Sequence, residues 1–152
     1  MRNRKYQITD ISEIYKIIET GKICRLGLCN GNIPYIVPLN YGYKDNALYF
    51  HSAHEGMKIE FMKKNNTVCF EIEGQVDIIE MENACKWTTK YTSVIGWGEA
   101  VFVNDLKEKE DALDIIMNQY SEKSGWNYNE KEIKQVCIFK IKIEKVYGKR
   151  IK

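Results

Sequence analysis

A mainly β protein, antiparallel and flanked by helices, is the fold class that this sequence predicts. Three observations carry the prediction. Several segments alternate apolar and polar residues or are rich in β-branched and aromatic side chains, tight-turn signals join the early ones, and short amphipathic stretches at helical spacing interrupt the series. Strands joined by tight turns pair antiparallel, which excludes a doubly wound nucleotide fold. The expected order is helix, three strands, helix, two or more strands, helix, strand. No repeat or linker divides it, so residues 1–152 are expected to form one domain.

Taken in order, Asp10 with Glu13 resembles a capping box, and Ile11, Ile14, Tyr15, Ile17 and Ile18 recur at helical spacing, predicting a helix over 11–20 that stops at Gly21. KICRLGLC alternates, Asn30-Gly31 is a hairpin signal, and NIPYIVPLNYGY returns as a second strand. Lys44, Asp45 and Asn46 make another turn before ALYFHSA, so residues 22–53 read as a three-stranded antiparallel meander. From Glu55, Ile59, Phe61 and Met62 lie among lysines and glutamates, predicting a short helix that ends at Asn65 and Asn66. TVCFEIE is a strand, residues 74–88 are a polar and mixed stretch, and YTSVIGWGEAVFV is one long strand in which Gly96 and Gly98 permit a bend. Lys107 to Tyr120 is helical, SEKSGWNYN a loop, NEKEIKQ a helical turn, and VCIFKIKIEKVYG the last strand.

Composition narrows the function classes. A chain of 152 residues buries roughly 70% of its unfolded surface on folding, so a real core needs no staples. The net charge of +2 comes from interspersed lysines and glutamates, so nucleic acid is not an expected partner. The basic opening MRNRK is expected to be a solvated tail. No run approaches the roughly 20 apolar residues of a spanning helix, and a cytoplasmic protein with no membrane partner is expected. Cys24, Cys29, Cys69, Cys85 and Cys137 form no CxxC pair and are expected to be buried reduced thiols. His51 and His54 have no close cysteine partner, and no metal site is expected.

The chain has no GxGxxG, no GK[ST] loop, no GxSxG elbow and no HExxH helix. What remains is HSAHEGMK, where His51 and Ser52 leave a strand and Gly56 and Lys58 open a helix. Such a junction presents backbone N–H groups and the positive end of a helix dipole, to which Lys58 adds a charge and Ser52 a hydroxyl. The same residues are common in proteins that bind no anion, and His51 by itself is more often a packed or surface histidine than a catalytic one. In YIVPLNY, Pro38 removes a backbone donor, which requires a strand edge there; neighbouring groups then either face a planar ligand or belong to a plain edge strand. YTSVIGWG offers the hydroxyls of Tyr91, Thr92 and Ser93, or is simply a core strand.

In order, ITDISEI, GKICRLGL, PYIVPLNYGY, LYFHSAHEGMK, NNTVCFEIE, YTSVIGWG and the closing GKR resemble the FMN-binding split barrels related to pyridoxamine 5'-phosphate oxidase, particularly the branch of nitroimidazole-resistance (Nim) reductases. The resemblance implies a closed split barrel with FMN at a homodimer interface and a small-molecule substrate. On that implication Lys58 meets the FMN phosphate beside His51 and Ser52, Val37, Pro38, Leu39 and Asn40 run along the ring and ribityl chain, and Ser93 approaches the ring. The expected activity is reduction of nitroaromatic or quinone-like molecules, and His51, an imidazole at a strand end beside the expected phosphate site, is the residue expected to serve a chemical step as proton donor. A flavin-binding carrier or sensor without turnover is the alternative, since relatives with this barrel also bind haem or deazaflavin. Met57-Lys58 stands where pyridoxamine phosphate oxidases carry Arg-Lys, and Arg150 is the only late arginine, so vitamin B6 oxidation is not implied.

Overall fold

Local chemistry explains where each element of the computed structural model begins and ends; residues 4–151 are described. The first three residues of the basic opening, and hence most of the expected tail, lie outside the described residues. A 3-10 turn over Arg4–Tyr6 leads into β1 (Gln7–Ile8). The Asp10 carboxylate caps α1 (Ile11–Thr20) by accepting from the Ser12 N–H at 2.9 Å, and Ile14, Ile17 and Ile18 form its buried stripe. The remaining elements are β2 (Cys24–Asn30), β3 (Ile33–Leu39), β4 (Gly42–Lys44), β5 (Ala47–Ser52), α2 (Met57–Lys64), β6 (Thr67–Ile79), β7 (Thr88–Val103), α3 (Leu106–Asn118), α4 (Glu130–Gln135) and β8 (Cys137–Ile151).

The strands form one antiparallel sheet in the order β3-β2-β6-β7-β8-β5-β4, with β1 added alongside β8. The fold class therefore matches the sequence reading, but the layout of its strands differs. The expected meander over 22–53 is two separate hairpins at opposite ends of the sheet: β3 pairs with β2, whereas β5 pairs with β4 and β8. Tyr41 is the cause. After Leu39 the chain leaves the strand, Tyr41 is fully buried with its hydroxyl donating to the Ile18 carbonyl, and its N–H donates to the Tyr120 hydroxyl at 2.8 Å. That anchor pulls the chain across to α1 and α3 before the second hairpin starts. Asp45 and Asn46 then turn it with φ of 49° and 57°, the geometry of a type I′ loop.

The implied closed barrel is likewise corrected. The pairing path among the described residues is open, ending on β3 at one side and β4 at the other. Both prolines of the chain, Pro34 and Pro38, sit on β3, whose outer edge can spare the missing donors. The residues read as a polar stretch, 74–88, instead continue the β6–β7 pairing to Ile79 and Thr88, forming an exposed two-stranded ribbon past a bulge between Glu73 and Val76. Of the two glycines expected to bend the long strand, Gly98 lies at a register shift against β8, where a Cβ would overlap the Lys142 carbonyl.

The core lies on the inner face of the rolled sheet. Phe50 stacks on Phe139 with ring centroids 5.0 Å apart, and Leu26, Phe70, Ile72, Val94 and Ile141 fill in around them. α1 and α2 cover this core, with Ile59, Phe61 and Met62 of α2 buried in it. α3, capped by the Asp105 carboxylate on the Glu108 N–H at 3.0 Å, lies against β4 and β5.

Candidate functional site

Strand alternation sorts the residues at the end of β5. Phe50 and Ser52 face inward, with Ser52 directly opposite Cys137, whereas His51 points to the outer face opposite Ile138 and is exposed. The Ser52 hydroxyl is buried, and it has no hydrogen-bond partner among the described residues. A buried, unmatched hydroxyl is costly unless something completes it. Four residues later Gly56 takes φ 118°, a value only glycine adopts freely, and it caps α2 with no side-chain hydrogen bond. Its carbonyl accepts from the Ile59 and Glu60 N–H groups, so the first two N–H groups of α2, on Met57 and Lys58, have no preceding helical carbonyl. Open space surrounds Gly56, and Lys58 stands half-buried at the second helical position. The hydroxyl closes β5, and the helix start with its lysine follows across the turn 53–56.

The other sequence-predicted residues fall into two further places. Val37 and Leu39 are half-buried on β3 and packed against the core; Pro38 points outward, and Asn40 is exposed just past the strand end. Ser93 is half-buried on β7 between Glu73 and Lys149. Along the sheet path four strands (β2, β6, β7 and β8) separate β3 from β5. The helix closes that distance: α2 packs on β2, and its Phe61 meets the Tyr35 ring of β3 edge-on at 5.6 Å. The structure therefore places Ser52 and Lys58 on either side of the β5–α2 turn with His51 on the opposite face of β5, keeps Val37 to Asn40 on one edge, and leaves Ser93 mid-sheet.

Sequence reasoning missed the outer face of the sheet. Arg25 holds both Glu71 and Glu73, at 3.0 and 2.9 Å, beside a hollow of about 440 Å³ whose lining includes Gly27, Ile36 and Cys69. Burial pushes the Glu71 carboxyl above its ordinary range, and the hydrogen bond from Arg25 opposes that shift. Ile36, Ile95, Trp97 and Tyr147 stand exposed on this sheet, with Trp97 edge-on to Tyr147 at 6.1 Å. The signal was present in the alternation of β7, where Ile95 and Trp97 are out of phase with buried Val94, Gly96 and Gly98. The thiol reading also needs a correction: all five cysteines are free, but only Cys24 and Cys137 are buried, and Cys85 is exposed.

Residues 10–150 match the family model described as pyridoxamine 5'-phosphate oxidase. The chain belongs to that family. Among solved structures of the fold, a candidate 5-nitroimidazole antibiotic resistance protein from Bacteroides thetaiotaomicron VPI-5482 is 32% identical, with a TM-score of 0.84 over 95% of this chain and 86% of that one. A FAD and haem binding protein from Mycobacterium smegmatis shares the fold at 13% identity, with a TM-score of 0.84 over 95% and 73%. An uncharacterized protein of Rhizobium meliloti strain 1021 is 37% identical over 60 residues, 40% of this chain and 39% of its own length. The chain thus matches about two-fifths of that curated relative.

The residues of the β5–α2 corner fit the phosphate of the flavin that the family resemblance implies. The unmatched Ser52 hydroxyl, the uncapped start of α2 and Lys58 are the donor set that a phosphate dianion requires. Arg150, the late arginine, is engaged by Glu13 of α1.

Proposed function

We propose that this protein is an FMN-binding oxidoreductase that reduces small nitroaromatic or quinone-like molecules, working in the cytoplasm as a homodimer. The observation that carries the reading is the β5–α2 corner, where a buried hydroxyl with no hydrogen-bond partner among the described residues, an uncapped helix start and Lys58 offer donors to an anion. In this reading Ser52, Lys58 and the first N–H groups of α2 hold the phosphate. Val37, Pro38, Leu39 and Asn40 form the wall along the ring, and Ser93 contributes a hydroxyl from β7. Bound flavin would supply the electron transfer. The likeness to the Bacteroides protein supports nitroaromatics as the substrate class.

His51 is assigned the proton. Its exposed position at the strand end leaves its ring open to a substrate, and imidazole is a side chain that serves as a general acid or base. The exposed apolar face bearing Ile36, Ile95, Trp97 and Tyr147 supports the dimer, since a second copy would cover it. Oxidation of pyridoxamine phosphate is not proposed, because Met57 replaces one phosphate cation and Arg150 is held by Glu13.

The purified protein is expected to be yellow or to take up FMN, and to bind FMN more tightly than riboflavin. Lys58→Ala removes one charge-assisted contact worth about 1.5–3 kcal/mol, weakening FMN roughly 10- to 150-fold while leaving riboflavin little changed. Fluorescence titration with FMN, FAD and riboflavin decides the matter, and equal curves for FMN and riboflavin would sink the phosphate assignment. A second reading, flavin or haem binding without turnover, draws on the Mycobacterium smegmatis relative. An absorption spectrum and stopped-flow reduction by NADH or NADPH separate the two.

A further inference from the structure

Where α2, the end of β7, the first turn of α3 and the start of β8 meet, the surface opens into a hollow of about 310 Å³. Lys109 of α3 is 7% exposed, and its ammonium donates to the Val136 carbonyl at 2.8 Å. An ammonium has three donors, and a buried one needs compensating charge. The acids of α3 do not provide it. Glu110 and Asp111 bind Lys107 on the exposed side, and Glu108 and Asp111 line a different hollow with Tyr49 and Lys140. Among the described residues no carboxylate lines the hollow of Lys109.

Two more basic side chains share it. Lys63 of α2 stands exposed at the rim, and the His54 ring is held there by its Nε2 at 3.0 Å from the Lys134 carbonyl. The floor is apolar, made by buried Ile59 and Ile138 with half-buried Phe102. The Cys137 thiol, also on the lining, reports the local field: burial raises its pKa, while Lys109, Lys63 and Lys58 all pull it down. Cations without acids above an apolar floor suit a ligand with an anionic head and an apolar body.

We propose that this hollow binds a small organic oxyanion, a carboxylate or a phosphate monoester, with its head on Lys109 and Lys63 and its body against Ile59, Phe102 and Ile138. The assignment is independent of the flavin reading. Calorimetric titration of the protein at fixed ionic strength with benzoate, phenyl phosphate and the neutral benzyl alcohol tests it, the two anions distinguishing carboxylate from phosphate. At least one anion is expected to bind with a Kd on the order of 0.1–1 mM, and benzyl alcohol at least about 10-fold more weakly. Lys63→Ala and Lys109→Met should each weaken the anion about 10-fold or more, and the anion should still bind to protein saturated with FMN. Lys63 is exposed, so its variant keeps the test valid even where the buried Lys109→Met fails to fold. Absence of binding, equal binding of benzyl alcohol, unchanged affinity in Lys63→Ala, or displacement by FMN would each overturn the proposal.

Discussion

His51 and Ser52 are neighbours in sequence with opposite surroundings, because a strand turns successive side chains to opposite faces. In the proposed function that alternation gives them different work: Ser52 would complete the anion corner, and His51 would meet a substrate from outside. For His51→Gln we expect FMN affinity to hold while reduction of a nitroimidazole or quinone by chemically reduced enzyme slows roughly 100-fold or more, the scale of positioned acid catalysis. Loss of FMN affinity with an unchanged rate in the bound fraction would make His51 a cofactor-holding residue instead. The cysteines separate in the same way. Cys85 is exposed and Cys137 is buried with its thiol pushed up by that burial. With iodoacetamide near pH 7.5, mass spectrometry should find Cys85 modified first. Cys137 should follow only as the pH rises toward its elevated pKa, since the thiolate is the nucleophile.

At the scale of elements, β4 and α3 meet backbone to backbone. A Cβ on Gly42 would overlap the Ile115 carbonyl and crowd the Ile116 backbone nitrogen, so the helix lies directly on the strand backbone. Gly42→Ala must push α3 outward, and with it the Tyr120 hydroxyl and Gln119 amide that tie α3 to Tyr41, Lys22 and α1. A loss of about 1–3 kcal/mol is expected in urea unfolding, the usual cost of overpacking. α1 carries a pH signature of its own. Hydrogen bonds from Ser12 hold the Asp10 carboxyl below its ordinary value. A depressed carboxylate pKa means that the unfolded state binds the proton first, so this stabilisation is complete above a pH of about 3.9 and is lost as pH falls through the folded value. The difference in urea midpoint between the wild type and Asp10→Ala should therefore be present at pH 6 and shrink below pH 4.

At the scale of the molecule, the unexplained feature is how much apolar surface stays outside. Ile36, Ile95, Trp97 and Tyr147 share the outer sheet face, and the β6–β7 ribbon extends with Val76 and Ile78 exposed. A two-stranded ribbon is marginal by itself in water, which a second copy against it would remedy. Light scattering should give about twice the 17.9 kDa chain mass. Trp97→Glu places a charge in the centre of the proposed contact and should yield monomers with weakened FMN binding. A dimer that survives this change would move the interface elsewhere.

Much of this protein is determined by sequence patterns that act locally. The helix cap at Asp10, the alternation of CRLGLC and CIFKIKI, the edge position demanded by Pro38, and the strand-to-helix junction at HSAHEGMK depend on neighbours within a few residues, so they can be read before folding is known. The family itself was legible because the order of such segments spans nearly the whole chain. Long-range pairing was not. Nothing near Leu39 states that Tyr41 will bind Ile18 and Tyr120, yet that anchor parts the β2–β3 hairpin from the β4–β5 hairpin and leaves β3 and β4 as the ends of the sheet path. The same holds for the basic hollow, where Lys63, Lys109 and Cys137 come from three elements far apart in sequence. Apolar burial decides such meetings, because it is non-directional and rewards any packing that removes the same area from water; only the completed core selects one.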